Sequence, residues 1–262
     1  MSITSDTAEF AGKRVLVSGG TKGLGRATVV RFMAGGARVI TAARTTNDPI
    51  EGVEYVEADL TTPDGGEKLA TVAIERLGGI DILAHVVGGS ASPAGGFAAL
   101  TDEHWLAELN LNLLATVRLD RLLIPQMLDR GRGVVVHVTS IQSVLPLPES
   151  TTGYAAAKAA LRTYSKAISK EIGPKGVRVN SVSPGWIMTE AAGDFLQRLQ
   201  TADGGSVEDA RRSVLDALGG ISIGRGAEPD EVADLIAYLA SDRAAAIHGA
   251  EFVIDGGTIR TV

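Results

Sequence analysis

The alternation of short apolar runs with longer helix-period stretches constrains the fold of this chain more than any other feature. The runs are rich in β-branched residues, and they lie at Arg14–Ser18, Arg38–Ala42, Val53–Val56, Asp81–Val86, Val134–Thr139, Val177–Val182 and Glu251–Ile254. Helical periodicity fills stretches between them, as in Gly23–Gly35 and Tyr154–Ile172. Parallel strands joined by crossover helices produce this pattern. The sequence therefore predicts an α/β fold with a doubly wound parallel sheet and helices on both faces.

No repeat, low-complexity tract or linker interrupts this alternation, so a single domain over residues 1–262 is expected. The segment Glu190–Gly220 differs from the rest, because small and acidic residues surround a few large apolar ones. This composition predicts a helical excursion with one apolar face. Two interpretations are open for it: ordinary packing, or a substrate-loop insertion over residues 190–220 that acts as a lid.

Composition excludes several kinds of function. The formal net charge is −6 and no run of Lys or Arg is present, which argues against nucleic-acid and membrane partners. Without cysteine there is no disulfide, thiolate metal site or cysteine nucleophile, and His104, His137 and His248 have no metal-ligand spacing. Because Met1–Ala11 lacks the pattern of a signal peptide and no apolar run approaches bilayer length, a cytoplasmic location is expected.

A glycine-rich loop follows the first predicted strand and precedes the first predicted helix. It contains Gly19, Thr21, Lys22, Gly23, Leu24 and Gly25. This order places backbone amides and a helix N-terminus where a pyrophosphate can bind, and glycine allows close approach of the ligand. The loop does not match a P-loop, because Gly25 is followed by Arg26 rather than by Lys and a hydroxyl residue. It predicts a dinucleotide site.

Two basic residues predict which dinucleotide binds. The second strand ends at Arg44, where an acidic residue would select the free ribose hydroxyls of NAD. A guanidinium there can instead pair with a ribose 2′-phosphate, and Lys22 can add a second cation. The alternative is that both are solvated surface cations.

Tyr154 and Lys158 are the predicted centre of the chemistry. Their i,i+4 spacing near the start of a long helix places both side chains on one face. An ammonium near a phenol, together with the positive helix start, is expected to lower the pKa of the tyrosine and to favour proton exchange with a substrate oxygen. Ser140 ends the preceding strand and can bind the same oxygen, with Ser143 as the less favoured candidate.

The ordered combination of these motifs resembles the short-chain dehydrogenase/reductase family over essentially the whole chain. The resemblance implies a Rossmann-type fold, a homotetramer and a catalytic tetrad of Asn112, Ser140, Tyr154 and Lys158. Asn110 competes with Asn112, but the register relative to Trp105 favours Asn112. The resemblance further implies cofactor contacts from Asp59, Leu60, Pro184, Gly185, Ile187 and Thr189. An acidic helix cap is the alternative role for Asp59.

Two segments depart from the family pattern. Where the family has Asn-Asn-Ala-Gly, this chain has His85-Val86-Val87-Gly88, so the asparagine hydrogen bonds must be replaced, and His85 is the candidate for a structural role. Backbone contacts to the cofactor from Val87 and Gly88 are still expected. One extra residue lies between Ser140 and Tyr154, in a stretch with Pro146 and Pro148, and that loop is expected to absorb it.

The function expected from these features is NADP(H)-dependent hydride transfer between the nicotinamide and a carbonyl/alcohol pair. The favoured direction is reduction of an uncharged ketone, aldehyde or 3-oxoacyl compound, with Ser140, Gln142, Tyr154 and Trp186 facing the substrate. NAD(H) is the less favoured cofactor. The alternative from another functional class is an NAD(P)-binding sensor or scaffold without turnover, whose expected signature is a broken tetrad. A self-recycling epimerase or dehydratase would need a substrate domain.

Overall fold

The protein forms one seven-stranded, wholly parallel sheet in the order β3-β2-β1-β4-β5-β6-β7. The computed structural model describes residues 8–45, 48–93, 95–147, 151–203 and 205–260. Its strands are β1 Arg14–Ser18, β2 Arg38–Ala43, β3 Glu54–Glu57, β4 Ile82–His85, β5 Gly133–Val138, β6 Val177–Pro184 and β7 Glu251–Ile254. The sequence prediction of a doubly wound parallel sheet is confirmed, with small differences at strand ends.

Helices cover both faces of this sheet. They are α1 Gly23–Ala34, α2 Pro63–Leu77, α3 Asp102–Leu109, α4 Ala115–Asp129, α5 Thr152–Ile172, α6 Glu190–Asp203, α7 Val207–Ala217 and α8 Pro229–Ala240. Side chains alternate along each strand, so Leu16 joins the core beneath α2 and α4 while Val15 and Val17 join the core beneath α1 and α8. Both faces of the strands are therefore buried, which explains their continuous apolar runs.

The direction of winding reverses between β1 and β4. From β1 the chain winds outward to β2 and β3, and it then returns to place β4 on the other side of β1. Loops that leave the carboxyl ends of these two central strands run in opposite directions, which opens a crevice between them. Ser18 and His85 are register partners at the end of the two strands. This crevice positions the candidate site.

The excursion predicted at Glu190–Gly220 consists of two helices, α6 and α7. It leaves and returns through an isolated parallel bridge between Ile187 and Ala227. A small third core lies under it, formed by buried residues from the excursion and from the segment after β5, namely Ile141, Leu147, Leu196, Val214 and Leu218. The apolar face expected from the sequence is thus packed against the body of the protein.

Within the described residues, no helix is both long and apolar enough to span a bilayer.

Candidate active site

The loop after β1 places the N-terminus of α1 at the crevice. Gly19 has a φ of +78°, and a Cβ there would lie 2.9 Å from the Cα of Val87. At Gly25 a Cβ would lie 1.9 Å from the carbonyl oxygen of Gly19, so only glycine allows this turn to close. No side chain caps the first turn of α1, whose backbone N–H groups face the crevice side of the loop. The loop has the form of an anion-binding helix start.

A cavity of about 610 Å³ extends from this loop across the carboxyl ends of the strands. Every residue predicted to bind the cofactor lines it: Gly19, Thr21, Lys22, Gly23, Leu24, Gly25, Arg44, Asp59, Leu60, Val87, Gly88, Tyr154, Lys158, Pro184, Gly185, Ile187 and Thr189. These residues lie at or just after the carboxyl ends of β1, β2, β3, β4 and β6, and on α5. A dinucleotide is elongated and carries a pyrophosphate. It therefore fits this cavity, because the glycine loop at the start of α1 can bind the pyrophosphate.

One end of the cavity is basic. Lys22 and Arg44 are both exposed there, and neither forms an ion pair with any described residue. Asp59 lies beside them and accepts hydrogen bonds from the backbone N–H and the hydroxyl of Thr61, at 3.0 and 2.8 Å. These bonds, with a smaller contribution from Arg44, hold the pKa of Asp59 below its usual value. The helix cap of α2 is Thr62, so the alternative role of Asp59 as that cap is wrong.

The other end of the cavity brings Ser140, Tyr154 and Lys158 together. Both Ser140 and Tyr154 line the cavity, and the Ser140 hydroxyl is close enough to Tyr154 to lower the pKa of the phenol. Lys158 is buried; its Nζ lies 5.8 Å from the centroid of the Tyr154 ring and donates to the carbonyl oxygen of Val138 at 2.8 Å. Ser143 does not line the cavity, and its buried hydroxyl has no partner among the described residues. The geometry therefore favours Ser140 over Ser143.

The electrostatics of this trio differ from the expectation. Burial raises the pKa of Tyr154, and the nearby Glu108 carboxylate raises it further, against the opposing hydrogen bond from Ser140. Burial lowers the pKa of Lys158 to about 8, although Glu108 opposes that shift. The predicted lowering of the Tyr154 pKa is thus wrong for the chain's own residues. Burial is the largest cause of both shifts, because loss of hydration disfavours the charged form of each group.

Asn112 lies in a π-helical turn, Asn110–Leu114, that joins α3 to α4. Such turns recur at functional sites because they redirect one side chain out of the helical register. The Asn112 side chain is buried and bonds both backbone groups of Gly89, with Nδ2 to the carbonyl oxygen at 2.9 Å and Oδ1 from the N–H at 3.0 Å. Asn110 instead accepts from Arg118. Of the two asparagines, Asn112 is the one beside Lys158 and Gly88.

The sequence reasoning missed Glu108. This glutamate is buried on α3, and its carboxylate accepts hydrogen bonds from Ser90, Ser92 and Asn112. Its position four residues before Asn112 puts it on the same helical face, and that spacing was the available signal.

The His85 corner is a buried polar cluster. His85 Nε2 and His137 Nε2 bond the two oxygens of Asp120 at 2.9 and 3.0 Å. The ring of Tyr164 on α5 lies against that of His137, with 5.9 Å between centroids. His85 Nδ1 lies 3.5 Å from Ser18 Oγ. The imidazole nitrogens and carboxylate oxygens of His85, Asp120 and His137 lie within 4.8 Å of one another, as the ligands of a metal would. Their separations are those of direct hydrogen bonds between the side chains. The cluster ties β1, β4 and β5 to α4 and α5, the structural role expected for His85.

Gln142 and Trp186, the other predicted substrate residues, lie beside the cavity and are not part of its lining. The Gln142 carbonyl oxygen accepts from the hydroxyl of Thr151. The Trp186 ring packs against Phe195 of α6, with 6.3 Å between ring centroids. These two contacts lie between the cavity and the small third core under α6 and α7. Pro148, which was expected to help absorb the extra residue before Tyr154, lies outside the described residues.

Comparison with known proteins agrees with this geometry. A sequence model of a family described as enoyl-(acyl carrier protein) reductase matches residues 19–258, nearly the whole chain. The chain belongs to the short-chain dehydrogenase/reductase family. Members are NAD(P)-dependent oxidoreductases that interconvert carbonyl and alcohol groups, and this chain is one of them. The family resemblance found in the sequence is confirmed.

The chain is similar in sequence to several characterised members of this family, and in structure to a solved one. It is 32% identical over 260 residues to the 3-alpha-(or 20-beta)-hydroxysteroid dehydrogenase of Mycobacterium tuberculosis, covering 97% of the chain and 92% of the relative. It is 32% identical over 259 residues to the L-xylulose reductase of Cavia porcellus, covering 96% and 98%. The L-sorbose reductase of Gluconobacter frateurii, solved with NADPH and L-sorbose, superposes with a TM-score of 0.87 at 30% identity, covering 97% of this chain and all of the other.

Proposed function

We propose that this short-chain dehydrogenase/reductase is an NADP(H)-dependent reductase of uncharged ketones, aldehydes or 3-oxoacyl compounds. The observation that carries the proposal is the arrangement of one cavity, with Lys22 and Arg44 at one end and with Ser140 and Tyr154 beside Lys158 at the other. Such a cavity suits a phosphorylated dinucleotide whose nicotinamide end meets two hydroxyl groups.

In this reaction the nicotinamide supplies hydride to the carbonyl carbon, and the protein supplies a proton to the carbonyl oxygen. Tyr154 is the proton donor, and its raised pKa keeps the phenol protonated near neutrality, which suits the reductive direction. Ser140 donates a hydrogen bond that polarises the carbonyl. Lys158 is held over the Tyr154 ring, where its positive charge stabilises the phenolate left after proton transfer. The carbonyl thereby gains one hydride and one proton and becomes an alcohol.

The choice of NADP(H) rests on charge at the basic end. A 2′-phosphate near Lys22 and Arg44 gains two charge-assisted contacts. Neither cation forms a salt bridge within the described residues, and the carboxylate near Arg44, that of Asp59, is bonded to Thr61. The complex of the L-sorbose reductase with NADPH supports this choice.

Arg44→Asp tests the cofactor preference. The carboxylate repels the 2′-phosphate and can bind ribose hydroxyls, so we expect kcat/KM for NADPH to fall by about 100-fold relative to NADH, from about 2–3 kcal/mol for one charge-assisted contact. Arg132→Asp is the matched control, because Arg132 lies just before the amino end of β5, whereas the cavity lies at the carboxyl ends of the strands. We expect this variant to leave the ratio of kcat/KM for NADPH to that for NADH unchanged. A wild-type enzyme that uses NADH as well as NADPH would contradict the cofactor assignment.

The excursion at residues 190–220 is proposed as the substrate loop, because α6 sits over the cavity edge and brings Phe195 against Trp186. Gln142 and Trp186 are proposed to contact the substrate when the loop closes. NADPH absorbance, followed across neutral ketones, ketoesters, ketoses and acyl-thioesters with their carboxylate analogues as controls, defines the substrate. Preference for the carboxylates would contradict an uncharged substrate.

The homotetramer implied by the family resemblance stays a prediction, which light scattering of the purified protein tests. The cytoplasmic location expected from the sequence also stays a prediction, which fractionation of cells tests.

A further inference from the structure

Glu108 is a buried carboxylate directly behind the catalytic residues. Only 4% of its surface is exposed, which is costly for an ionisable side chain unless its oxygens are bonded. Its Oε1 accepts from Ser90 Oγ at 2.5 Å and from Ser92 Oγ at 2.7 Å, and its Oε2 accepts from Asn112 Nδ2 at 2.8 Å. Each of these partners can donate to the carboxylate, so both of its oxygens are hydrogen-bonded.

The Glu108 carboxylate is one of three groups that orient the Asn112 amide; the others are the backbone N–H and carbonyl of Gly89 and the backbone carbonyl of Glu108, which Nδ2 reaches at 3.1 Å. An ionised carboxylate only accepts hydrogen bonds, so the NH₂ group of Asn112 must point to Glu108 and its oxygen must point away. In that orientation Oδ1 accepts from the Gly89 N–H at 3.0 Å. A Cβ on Gly88 would lie 3.0 Å from this oxygen and 2.9 Å from Lys158 Nζ, so the two atoms share the space beside Gly88. With its NH₂ group held by Glu108, the amide places its oxygen, Oδ1, beside Gly88 and Lys158 Nζ.

The same carboxylate balances charge in the site. Lys158 is 2% exposed and forms no ion pair within the described residues; its Nζ bonds a neutral carbonyl. Glu108 raises the pKa of Lys158 against the effect of burial, and it also raises the pKa of Tyr154. Gly153 of α5 allows this approach, because a Cβ there would meet Glu108 Cγ at 3.2 Å.

Few other charged groups face Glu108. From α5 they are Lys158 and the titratable Tyr154. From α6, Arg198 reaches the loop and donates to the carbonyl oxygen of Ser90 at 3.0 Å, at the surface. On α3 itself, His104 lies one turn earlier and bonds Thr101 at the helix start. On β5, His137 lies beside Lys158 but bonds Asp120. The Asn112 amide therefore lies between the Glu108 carboxylate and the space beside Gly88 that Lys158 Nζ occupies.

We propose that Glu108 is a positioning residue of the reaction, which fixes the amide of Asn112 and serves as the buried counter-charge of Lys158. The proposal rests on the proposed function. It assigns two separable effects to one side chain: the carboxylate charge tunes the protonation of Tyr154 and Lys158, and the length of the side chain holds Asn112 and the Ser90–Ser92 loop in place.

Two variants separate these effects. Glu108→Gln keeps the length and loses the charge, and the hydroxyls of Ser90 and Ser92 can rotate to accept from the new amide. We expect its basic limb of kcat for carbonyl reduction to move to lower pH by about one unit, because a nearby like charge no longer raises the pKa of Tyr154. Glu108→Asp keeps the charge but is one methylene short. We expect its pH limb to stay in place while kcat falls about 10-fold or more through misplacement of Asn112.

Glu103→Gln is the matched control, since Glu103 is exposed on the same helix; it leaves kcat and the pH profile unchanged. Thermal melts and NADPH binding establish that each variant folds. A readout independent of turnover is ultraviolet titration of tyrosinate, with each protein compared with its Tyr154→Phe counterpart. The expected result is a lower Tyr154 pKa in Glu108→Gln than in the wild type.

An unchanged Tyr154 titration and an unchanged pH limb in Glu108→Gln would overturn the counter-charge role. Wild-type kcat in Glu108→Asp would overturn the positioning role. Absence of turnover in the wild type with every carbonyl would instead overturn the proposed function, and the tyrosinate titration would still decide the role of Glu108.

Discussion

Replacement of Asp120 by asparagine is predicted to destabilise the protein strongly, although Asp120 touches neither the proposed cofactor nor the substrate. Its carboxylate is 1% exposed and accepts from the imidazoles of His85 and His137. An amide at this position has one accepting end. The NH₂ group of the new asparagine would face the N–H of one imidazole. Both groups are donors, so the hydrogen bond at that position would be lost.

The magnitude follows from these contacts. Loss of one hydrogen bond to a charged group costs about 1.5–3 kcal/mol, and the buried donors left unpaired cost about 1–3 kcal/mol more. A change of tautomer at His137 would not relieve this clash, because its Nδ1 has no partner among the described residues and would become an unpaired N–H. At His85 the same change would leave Nδ1–H with only a long contact, 3.5 Å from Ser18 Oγ. We therefore expect Asp120→Asn to lower the free energy of unfolding by about 3–5 kcal/mol, or Tm by about 10 °C for a chain of this size.

Chemical and thermal unfolding followed by circular dichroism measure this change. Asp129→Asn is the control, because Asp129 is exposed at the end of the same helix, and we expect it to stay within about 0.5 kcal/mol of the wild type. An Asp120→Asn protein that unfolds within about 1 kcal/mol of the wild type would refute the view that the cluster is a hydrogen-bonded structural element.

The remaining predictions concern acid stability and the glycine loop. Burial raises the pKa of Asp120, but the two imidazoles lower it by more, so its net pKa lies below the usual 3.8. Such a group stabilises the folded state above pH 3.8 and loses that contribution as the pH falls further, so the wild type and Asp120→Asn should converge in stability only below this pH. Gly25→Ala should abolish NADPH binding, measured by nicotinamide fluorescence, because its Cβ would lie 1.9 Å from the Gly19 carbonyl oxygen. Gly193→Ala on α6, where a Cβ meets nothing within 4 Å, should bind NADPH normally; equal binding by both variants would show that the loop is not the phosphate site.

The sheet and the cofactor cavity could be predicted because they depend on local patterns. Strands buried on both faces give continuous apolar runs, and a strand–glycine–helix order gives the phosphate loop, so each signal lies within one stretch of chain. The boundaries of β6 shifted, from Val182 to Pro184, because its end is set by pairing with β7 rather than by its own residues.

The features that escaped sequence reasoning depend on contacts between distant elements. Asp120, His85 and His137 come from α4, β4 and β5, and no spacing in the chain shows that they meet. The Tyr154 pKa was predicted in the wrong direction because the argument counted the nearby ammonium and omitted both burial and Glu108. Desolvation is a property of the folded environment and cannot be obtained from an i,i+4 pair alone.

The measurement that tests the account most directly is NADPH-dependent carbonyl reduction by Tyr154→Phe, paired with its affinity for NADPH. The substitution removes only the phenolic hydroxyl, which is the proposed proton donor and lines the cavity beside Ser140. The account predicts that kcat falls by about 10²–10⁴-fold while NADPH binding is unchanged, as loss of a general acid requires. Wild-type turnover in Tyr154→Phe would contradict the central claim that this hydroxyl carries the chemistry.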